Sequence, residues 1–588
     1  MDAASAVWRV RRQHPCARDL QRALGCSLVT ANLLAHRGFV SEPEARAFLN
    51  PNFETLADPL KLPDALPAVR RIMCALDRGE RIYVFGDYDG DGITAAALLT
   101  RLLERLGGDV QVHIPHRHHE GYDLREHVVE AARAAGARLI VTADCGIQRY
   151  QEVASARAAN IDVIVTDHHE PGPRLPDALA VVNPHRRDSA YPFQHLAGVG
   201  VTFRLGEALV QAIGLPVSKY RSAFAELAAI GTITDIMPLL GDNRVFVKAG
   251  LEQMSSTRRR GIRALLKATG IGDRPVTSHD VGFVIGPRLN AVGRVDDPRK
   301  ALDLLLTRAD EEAEALAMEL ERANHDRRDE EQRILNAAIE RILTHNLHRE
   351  PAILLDAADW HPGVIGIVAN RLAERFWRPT LLISMDDQTG VGRGSARSIP
   401  SFHILDALER CAEYFMEFGG HAHAAGFTIA ADMVQPLREA FLAVARSTIQ
   451  PEDLQPVLDI DAELPPHCVT RELLSELSML QPFGHDNEEP VFAAFGVQVR
   501  DHRRVGRDRN HLKLWLSSSL ERPVEAVLWC GGEWDDILTR DTCIDIVYKA
   551  RMNRFNGVET PQLHLLALRP SSRSRRKVTS DEGQHGVC

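Results

Sequence analysis

Residues 81–183 alternate between two hydrophobic periods, and no other stretch restricts the fold as much. Short β-rich apolar runs stand at 81–85 (RIYVF), 109–114 (DVQVHI), 138–142 (RLIVT), 161–166 (IDVIVT) and 179–183 (LAVVN). Helical patterns lie between them at 92–106, 124–135 and 148–159. Strands that alternate with helices of about 10–15 residues predict a parallel α/β sheet. Ligands of such sheets bind outside the carboxyl ends of the strands. What the sequence puts at those ends therefore carries the functional reading.

At those ends it puts acid and imidazole. "GDYDGDG" (86–92) follows the first run and holds Asp87, Asp89 and Asp91. Asp144 follows "LIVTA", and Asp167, His168 and His169 follow "DVIVT". Asp235 sits in "AAIGTITDIMPL". A single Asp after a strand is most often a helix N-cap or a turn residue, and a His pair is more often surface than ligand. Together the groups read differently. Carboxylates aimed at one sheet edge repel one another unless a cation sits among them. Mixed Asp and His donors with a carboxylate majority suit Mn²⁺ or Mg²⁺, with Zn²⁺ less favoured. The donors exceed the need of one ion, which points to a two-metal site of the kind that drives in-line displacement at phosphorus. Gly86, Gly90 and Gly92 let the loop turn tightly.

The remaining chain is organised around this unit. At 588 residues it exceeds what one core supports. Residues 308–343 lack Gly and Pro and are polar all round at mid-length, which predicts one helix of roughly 54 Å joining two domains. A second α/β unit follows, with strands at 352–356 and 380–384, a helix at 363–376, and Gly-rich stretches at 390–398 and 419–426. Short alternating runs over 490–568 read as a small β-barrel or sandwich. The expected divisions are an N-terminal segment (1–50), a first α/β domain (51–307), the connecting helix (308–345), a second α/β domain (346–450), a β-domain (451–570) and a disordered Ser- and Arg-rich tail (571–588).

Composition narrows the setting. No apolar run reaches the roughly 18 residues that span a bilayer, and no secretory leader is evident. Nine scattered cysteines without CxxC spacing fit a reducing cytoplasm. A net charge of −10 leaves nucleic-acid binding to local basic clusters at 258–267, 503–513 and 569–577.

The motifs "GDYDGDG", "ADCGI" (143–147), "TDHH" (166–169) and "GTITDIMPL" (231–239) resemble those of the DHH phosphoesterase superfamily. Within it the chain resembles the RecJ family of single-strand-specific exonucleases. Blocks similar to that family follow in order: "GPRLNAVGRVDDP" (286–298), "DWHPGVIGIVANRLAERFWRPT" (359–380), "GRGSARSIPSFHILDALER" (392–410), "FGGHAHAAGF" (418–427) and "QPFGHDNEEPVF" (481–492). The departures are small: Gly90 for Ala or Val, "GSARS" for "GSGRS", "EGYDL" for "EGYGL", and "HDNEEP" for "QGNPEP". Ala396 weakens the idea that the loop around residue 395 lets a phosphate approach the backbone.

The resemblance implies a fold: a DHH domain and a DHHA1-type domain joined by a long helix, then an OB-fold that suits single strands. It implies a reaction: 5′-to-3′ digestion of single-stranded DNA to 5′-mononucleotides, with two divalent cations, Mn²⁺ or Mg²⁺. Asp144 would bridge the cations. Asp87 and Asp89 would hold one, and Asp91, His168 and Asp235 the other. His169 would orient water or phosphate, with Asp167 supporting it. Arg117, Arg288, Asn290, Ser395, Arg397 and His421 would meet the substrate. The implied partners are single-strand-binding protein and a RecQ-type helicase, in recombination and mismatch repair. Beside a nuclease of the same fold with different polarity or RNA preference, two other readings compete. One is a nano-RNase, cyclic-dinucleotide phosphodiesterase or pyrophosphatase of the same superfamily, which generally lacks the C-terminal β-unit. The other is an inert single-strand-binding scaffold, which would require lost ligands.

Overall fold

The computed structural model describes residues 6–116, 120–121, 123–272, 274–517, 523–555 and 557–571. The chain opens with a short strand, β1 (Val7–Val10). The alternating region then forms a five-stranded sheet: β2 (Ile82–Gly86), β3 (Val110–His113), β4 (Leu139–Ala143), β5 (Asp162–Thr166) and β6 (Ala180–Val182). Its order is β3-β2-β4-β5-β6, and every pairing is parallel. From β2 the chain goes to one neighbour, β3, and then crosses back to the other, β4. The carboxyl ends of β2 and β4 thus flank the point where the winding reverses, where doubly wound sheets leave a crevice.

Helices cover both faces, which explains why β2 and β4 are buried at every residue. Along β2 the side chains alternate. Ile82 and Val84 join the core beneath the helices Ala65–Arg78, Gly90–Arg105 and Gly198–Ile213. Tyr83 and Phe85 join the opposite core, with residues of the helices Glu126–Ala134 and Tyr150–Ala158. The helix Gly198–Ile213 carries two fully buried charges, Arg204 and Glu207, which pair with each other. Glu207 also accepts from Arg221 at 2.7 Å, and Arg204 donates to the Ala57 carbonyl.

The chain forms two compact units, and their limits differ from the expected domains. One comprises Ala47–Arg327 with Gln481–Glu488. The other comprises the residues up to Arg46, Arg328–Leu480, and those from Glu489 onward. The long helix is present as Asp310–Thr344, and the division falls inside it. The N-terminal segment is no separate piece. β1 pairs in parallel with β12 (Val457–Ile460), and the Glu476 carboxylate accepts from the Ser27 and Thr30 hydroxyls at 2.6 Å each. Residues 481–488, expected in the β-domain, instead join the first unit: Leu239 N–H donates to the His485 carbonyl at 2.9 Å.

The second unit contains β7 (Ile353–Ala357), β8 (Thr380–Asp386), β9 (Val391–Arg397), β10 (Glu417–Gly420) and β11 (Ala424–Ala430), ordered β10-β11-β9-β8-β7. The Gly-rich stretch around residue 395, expected as a loop, is the central strand β9. Glycine serves packing there: a Cβ on Gly394 would stand 2.1 Å from the Phe427 ring. After the short β13 (Ala462–Glu463) come β14 (Phe492–Val505), β15 (His511–Ser517), β16 (Val524–Leu528), β17 (Cys543–Phe555) and β18 (Val558–Pro570). Pairing runs β14–β15–β16–β18–β17 and returns to β14, which closes a five-stranded barrel.

The buried Arg204–Glu207 pair yields a test of the first unit. Glu207→Ala leaves a buried guanidinium without its partner, at a cost of about 3–5 kcal/mol. The thermal midpoint of that unit should fall by several degrees, as read by calorimetry. An unchanged midpoint would show that the pair does not support the helix.

Candidate metal centre

Three aspartates extend the sheet by one row each. Asp87 N–H donates to the Ala143 carbonyl at 3.2 Å, Asp144 N–H to Thr166 at 2.9 Å, and Asp167 N–H to Val182 at 3.2 Å. The strand register thus delivers three carboxylates side by side at the carboxyl edge. Asp144 takes a left-handed backbone, φ +69°, which Asp tolerates better than most residues.

Asp89 is the N-cap of the helix Gly90–Arg105. Its Oδ1 accepts the N–H groups of Asp91 at 2.9 Å and Gly92 at 3.0 Å. The ordinary capping role is therefore real, and it orients the carboxylate. A Cβ on Gly92 would lie 2.6 Å from the Asp87 backbone, so only glycine lets this turn close. Asp91 is fully buried and reaches another helix. Its Oδ2 accepts from Gly198 N–H at 2.6 Å and its Oδ1 from Val199 N–H at 2.8 Å. It thereby caps the start of the helix Gly198–Ile213, whose N-cap residue, Ala197, has no side-chain acceptor. Asp235 arrives as the C-cap of the helix Val217–Thr234.

The donors converge in overlapping sets. Oxygens of Asp87, Asp89 and Asp144 lie within 4.8 Å of one another, as do oxygens of Asp91 and Asp235 with a His168 ring nitrogen, and an Asp144 oxygen with ring nitrogens of His168 and His169. His168 Nε2 lies 3.1 Å from Asp144 Oδ1, 3.5 Å from Asp235 Oδ2 and 4.0 Å from Asp91 Oδ2. Asp144 thus stands between the sets. Three buried atoms here lack a hydrogen-bond partner: Asp87 Oδ1, Asp144 Oδ1 and His168 Nε2. The His168–Asp144 distance is short, but the groups are not aligned for a hydrogen bond. Orphaned donor atoms of a carboxylate-rich set, aimed at one another, fit divalent cations of the Mn²⁺ or Mg²⁺ kind.

Electrostatics agree. Burial, then repulsion from neighbouring aspartates, pushes Asp87, Asp144 and Asp235 well above the ordinary carboxylate range. Asp91 is pushed up to about 7 by burial and Asp89, against the pull of its two backbone donors. Burial and the charge of His169 push His168 down to about 3, so it is a neutral imidazole suited to ligation. Burial opposes protonation of His169, yet its hydrogen bond to Asp167 and that carboxylate's charge push it up to about 10. Asp167 itself is lowered despite burial, because His169 and backbone donors satisfy it. Its Oδ1 accepts from His169 Nδ1 at 2.7 Å, and its Oδ2 from Ile147 N–H at 2.9 Å. Both Asp167 oxygens are therefore engaged within the protein.

The expected substrate residues fare differently. Arg117 lies outside the described residues. Arg288, expected on a phosphate, is held within the protein: it pairs with Glu321 and donates to the Val284 carbonyl at 2.6 Å. Asn290, also expected on substrate, accepts the Gly90 N–H at 2.7 Å and so braces the aspartate loop. Ser395 and Arg397 belong to the second unit and bond each other at 3.0 Å. Both face Gly366, on the first turn of the helix Ile365–Phe376, where a Cβ would lie 3.0 Å from the Ser395 hydroxyl and 3.1 Å from the Arg397 guanidinium. His421 is exposed just beyond β10. The sequence reading missed Gly198, where a Cβ would stand 2.4 Å from Asp144 Oδ1. The signal was "AGVG" (197–200), two glycines opening a buried helix.

Comparison with known proteins agrees with this layout. Residues 81–232 match the DHH family N-terminal domain, 349–449 the DHHA1 domain and 460–567 the RecJ OB domain. The chain is 35% identical over 564 residues to the single-stranded-DNA-specific exonuclease RecJ of Bacillus subtilis, covering 96% of this chain and 71% of that protein. It is 34% identical to the RecJ of Dickeya dadantii, covering 96% of this chain and all of that one. The crystal structure of Thermus thermophilus RecJ in complex with Mn²⁺ superposes with a TM-score of 0.82 at 32% identity, over 97% of this chain and 80% of that one.

The raised carboxylates predict a pH signature. Folded, the cation-free cluster holds protons that the unfolded chain releases near about pH 4. Its contribution to stability is therefore lost as pH rises through about 7, the value for Asp91. Bound Mn²⁺ removes the repulsion, and its affinity rises as the ligands deprotonate. The gain in thermal midpoint from Mn²⁺ over chelator should be larger at pH 8 than at pH 5.5, as read by scanning calorimetry. An equal gain at both pH values would contradict the assignment.

Proposed function

Because the chain belongs to the RecJ family of single-stranded-DNA-specific exonucleases, we propose that it digests single-stranded DNA from the 5′ end and releases 5′-mononucleotides. The observation that carries this reading is the meeting of two donor sets at Asp144. Asp87 and Asp89 would hold one cation, Asp91, His168 and Asp235 a second, and Asp144 both. Divalent cations held there supply charge neutralisation for the phosphate and acidity for the attacking water.

The protein's own groups do the rest. Asp167 holds His169 by Nδ1, which leaves Nε2 to carry a proton towards a phosphate oxygen. The Gly198 and Val199 N–H groups hold Asp91 at a fixed angle, and Asn290 holds Gly90. In the second unit, Ser395 and Arg397 at the start of the helix Ile365–Phe376 suit a terminal phosphate, since a helix N-terminus and a guanidinium both favour an anion.

The barrel favours a polymer over a small substrate. Its β15 and β16 correspond to strands 2 and 3 of an OB-fold, the face that takes oligonucleotides. Leu512, Leu514 and Leu516 point into the barrel, while His511, Lys513 and Trp515 point out. Arg503 and Lys513 each cover Trp515, 5.3 Å from its ring centre. Trp529 is 56% exposed and is steadied edge-on by His511 at 4.8 Å. Arg503, Arg507 and Arg509 make no ion pair among the described residues. Such a face offers one ring for stacking and cations for the backbone. The reading also places the protein in the cytoplasm, working on strands opened by a RecQ-type helicase and held by single-strand-binding protein. Among the described residues, no helix is long and apolar enough to cross a membrane.

Two outcomes are expected. With Mn²⁺, DNA labelled at its 5′ end should lose label at once as mononucleotide, 3′-labelled DNA should shorten gradually, a blunt duplex should persist, and Asp144→Ala should be inactive. Early loss of a 3′ label would reverse the polarity. Trp529→Ala should raise KM for long single strands about tenfold, the worth of one stacked base, with kcat and short-oligonucleotide cleavage unchanged. An unchanged KM would remove the barrel face from the binding surface.

A further inference from the structure

The helix that delivers Asp235 ends in an unusual way. Ile236 N–H donates to the Ile233 carbonyl at 3.1 Å, and Met237 N–H to the Thr232 carbonyl at 3.2 Å. This is a Schellman ending, in which the residue after the cap adopts a left-handed backbone and is usually glycine. Glycine fills the left-handed end of three other helices: Gly25, Gly79 and Gly214 end Ala17–Leu24, Ala65–Arg78 and Gly198–Ile213 at φ +67°, +63° and +78°, while Trp377 ends Ile365–Phe376 at φ +52°. Beside Asp235 the position is Ile236, a β-branched residue at φ +57°. A β-branched side chain is strained there.

Packing does not account for it. Ile236 is 70% exposed, and Phe283 is 73% exposed; they are the two most exposed large apolar side chains among the described residues. Phe283 lies in a π-helical turn, Val281–Ile285, and stacks on His279 at 4.7 Å. That turn lies against the end of the Asp235 helix: a Cβ on Gly282 would stand 3.5 Å from Ile233, and one on Gly286 2.6 Å from Thr234. π-turns and strained residues concentrate at functional sites. Two exposed apolar groups therefore stand on adjoining turns, one of them next in sequence to a metal-site carboxylate. The carboxylates beside them suit cations, and cations held there suit a phosphate. The apolar groups suit the other part of a nucleotide.

We propose that Ile236, with Phe283 on the neighbouring turn, forms an apolar shelf that takes the face of an unpaired nucleobase in the strand held at the metal centre. Ile236 is a positioning residue that fixes the nucleotide's orientation, while the cations that the aspartates would hold neutralise its phosphate. A base lying on the shelf cannot remain stacked within a duplex, so the contact also favours single strands. This rests on the proposed exonuclease reading.

The test uses full-length protein and the variants Ile236→Gly and Ile236→Asn, both of which accept a left-handed backbone. Relief of strain should raise the thermal midpoint by about 2–4 °C. Single-strand cleavage should nevertheless fall about tenfold in kcat/KM, with Mn²⁺ binding by calorimetry unchanged. Substrates lacking the base at the first, second or third nucleotide from the 5′ end then locate the contact. At one of these positions, wild type and variant should cleave equally fast. A variant as active as wild type on intact DNA would overturn the proposal, as would a deficit that persists on every base-free substrate. Wild-type protein that leaves intact DNA uncut would instead overturn the exonuclease reading, so the two failures are distinguishable.

Discussion

The dominant constraint on the first unit is the mutual repulsion of buried carboxylates. Asp87, Asp91 and Asp144 sit with little or no water at one edge of a parallel sheet, and Asp91 and Asp144, with His168 and the partly exposed Asp235, surround a space a few ångströms wide. Burial alone would drive these groups to hold protons. Their geometry shows what opposes that: oxygen and nitrogen atoms left without partners, pointing at one another. A cation resolves the conflict more completely than protons do, because it satisfies several lone pairs at once. Much of the surrounding structure keeps the carboxylates from relaxing apart. The Gly198 and Val199 N–H groups pin Asp91, and Asp167 is saturated so that His169 and His168 keep their places.

Topology decides where this happens. The winding reverses between β2 and β4, so no crossover helix covers the ends of those two strands. Asp87 and Asp144 occupy the first positions beyond β2 and β4, and the Asp87 N–H donates to the carbonyl of Ala143, the residue before Asp144. Asp235 comes from a helix far along the chain, whose ending is strained at Ile236. The site thus combines a rigid sheet edge with a helix end.

Much of this was legible in the sequence because the hydrophobic period reports strands and helices directly. Each of the five expected strands is present within one or two residues, and the helix expected at 308–343 runs Asp310–Thr344. The acidic cluster was legible for the same reason, since strand ends can be located from period alone. What was not legible depends on long-range pairing. No local pattern says that β1 adds to Val457–Ile460, or that residues 481–488 join the first unit. The stretch around Gly394 read as a loop because glycine is a turn signal, whereas here it makes room for Phe427. Arg288 and Asn290 looked like substrate contacts, yet each is taken by a partner remote in sequence, Glu321 and Gly90. A residue type shows capacity; only the fold shows whether that capacity is already used.

The central claim is that the buried carboxylates exist to hold two cations that share Asp144. Crystals grown with Mn²⁺ and measured at the manganese absorption edge test it most directly. The account predicts two anomalous peaks roughly 3.5–4 Å apart, one on each side of the Asp144 carboxylate. A single peak, or two peaks without Asp144 between them, would contradict it.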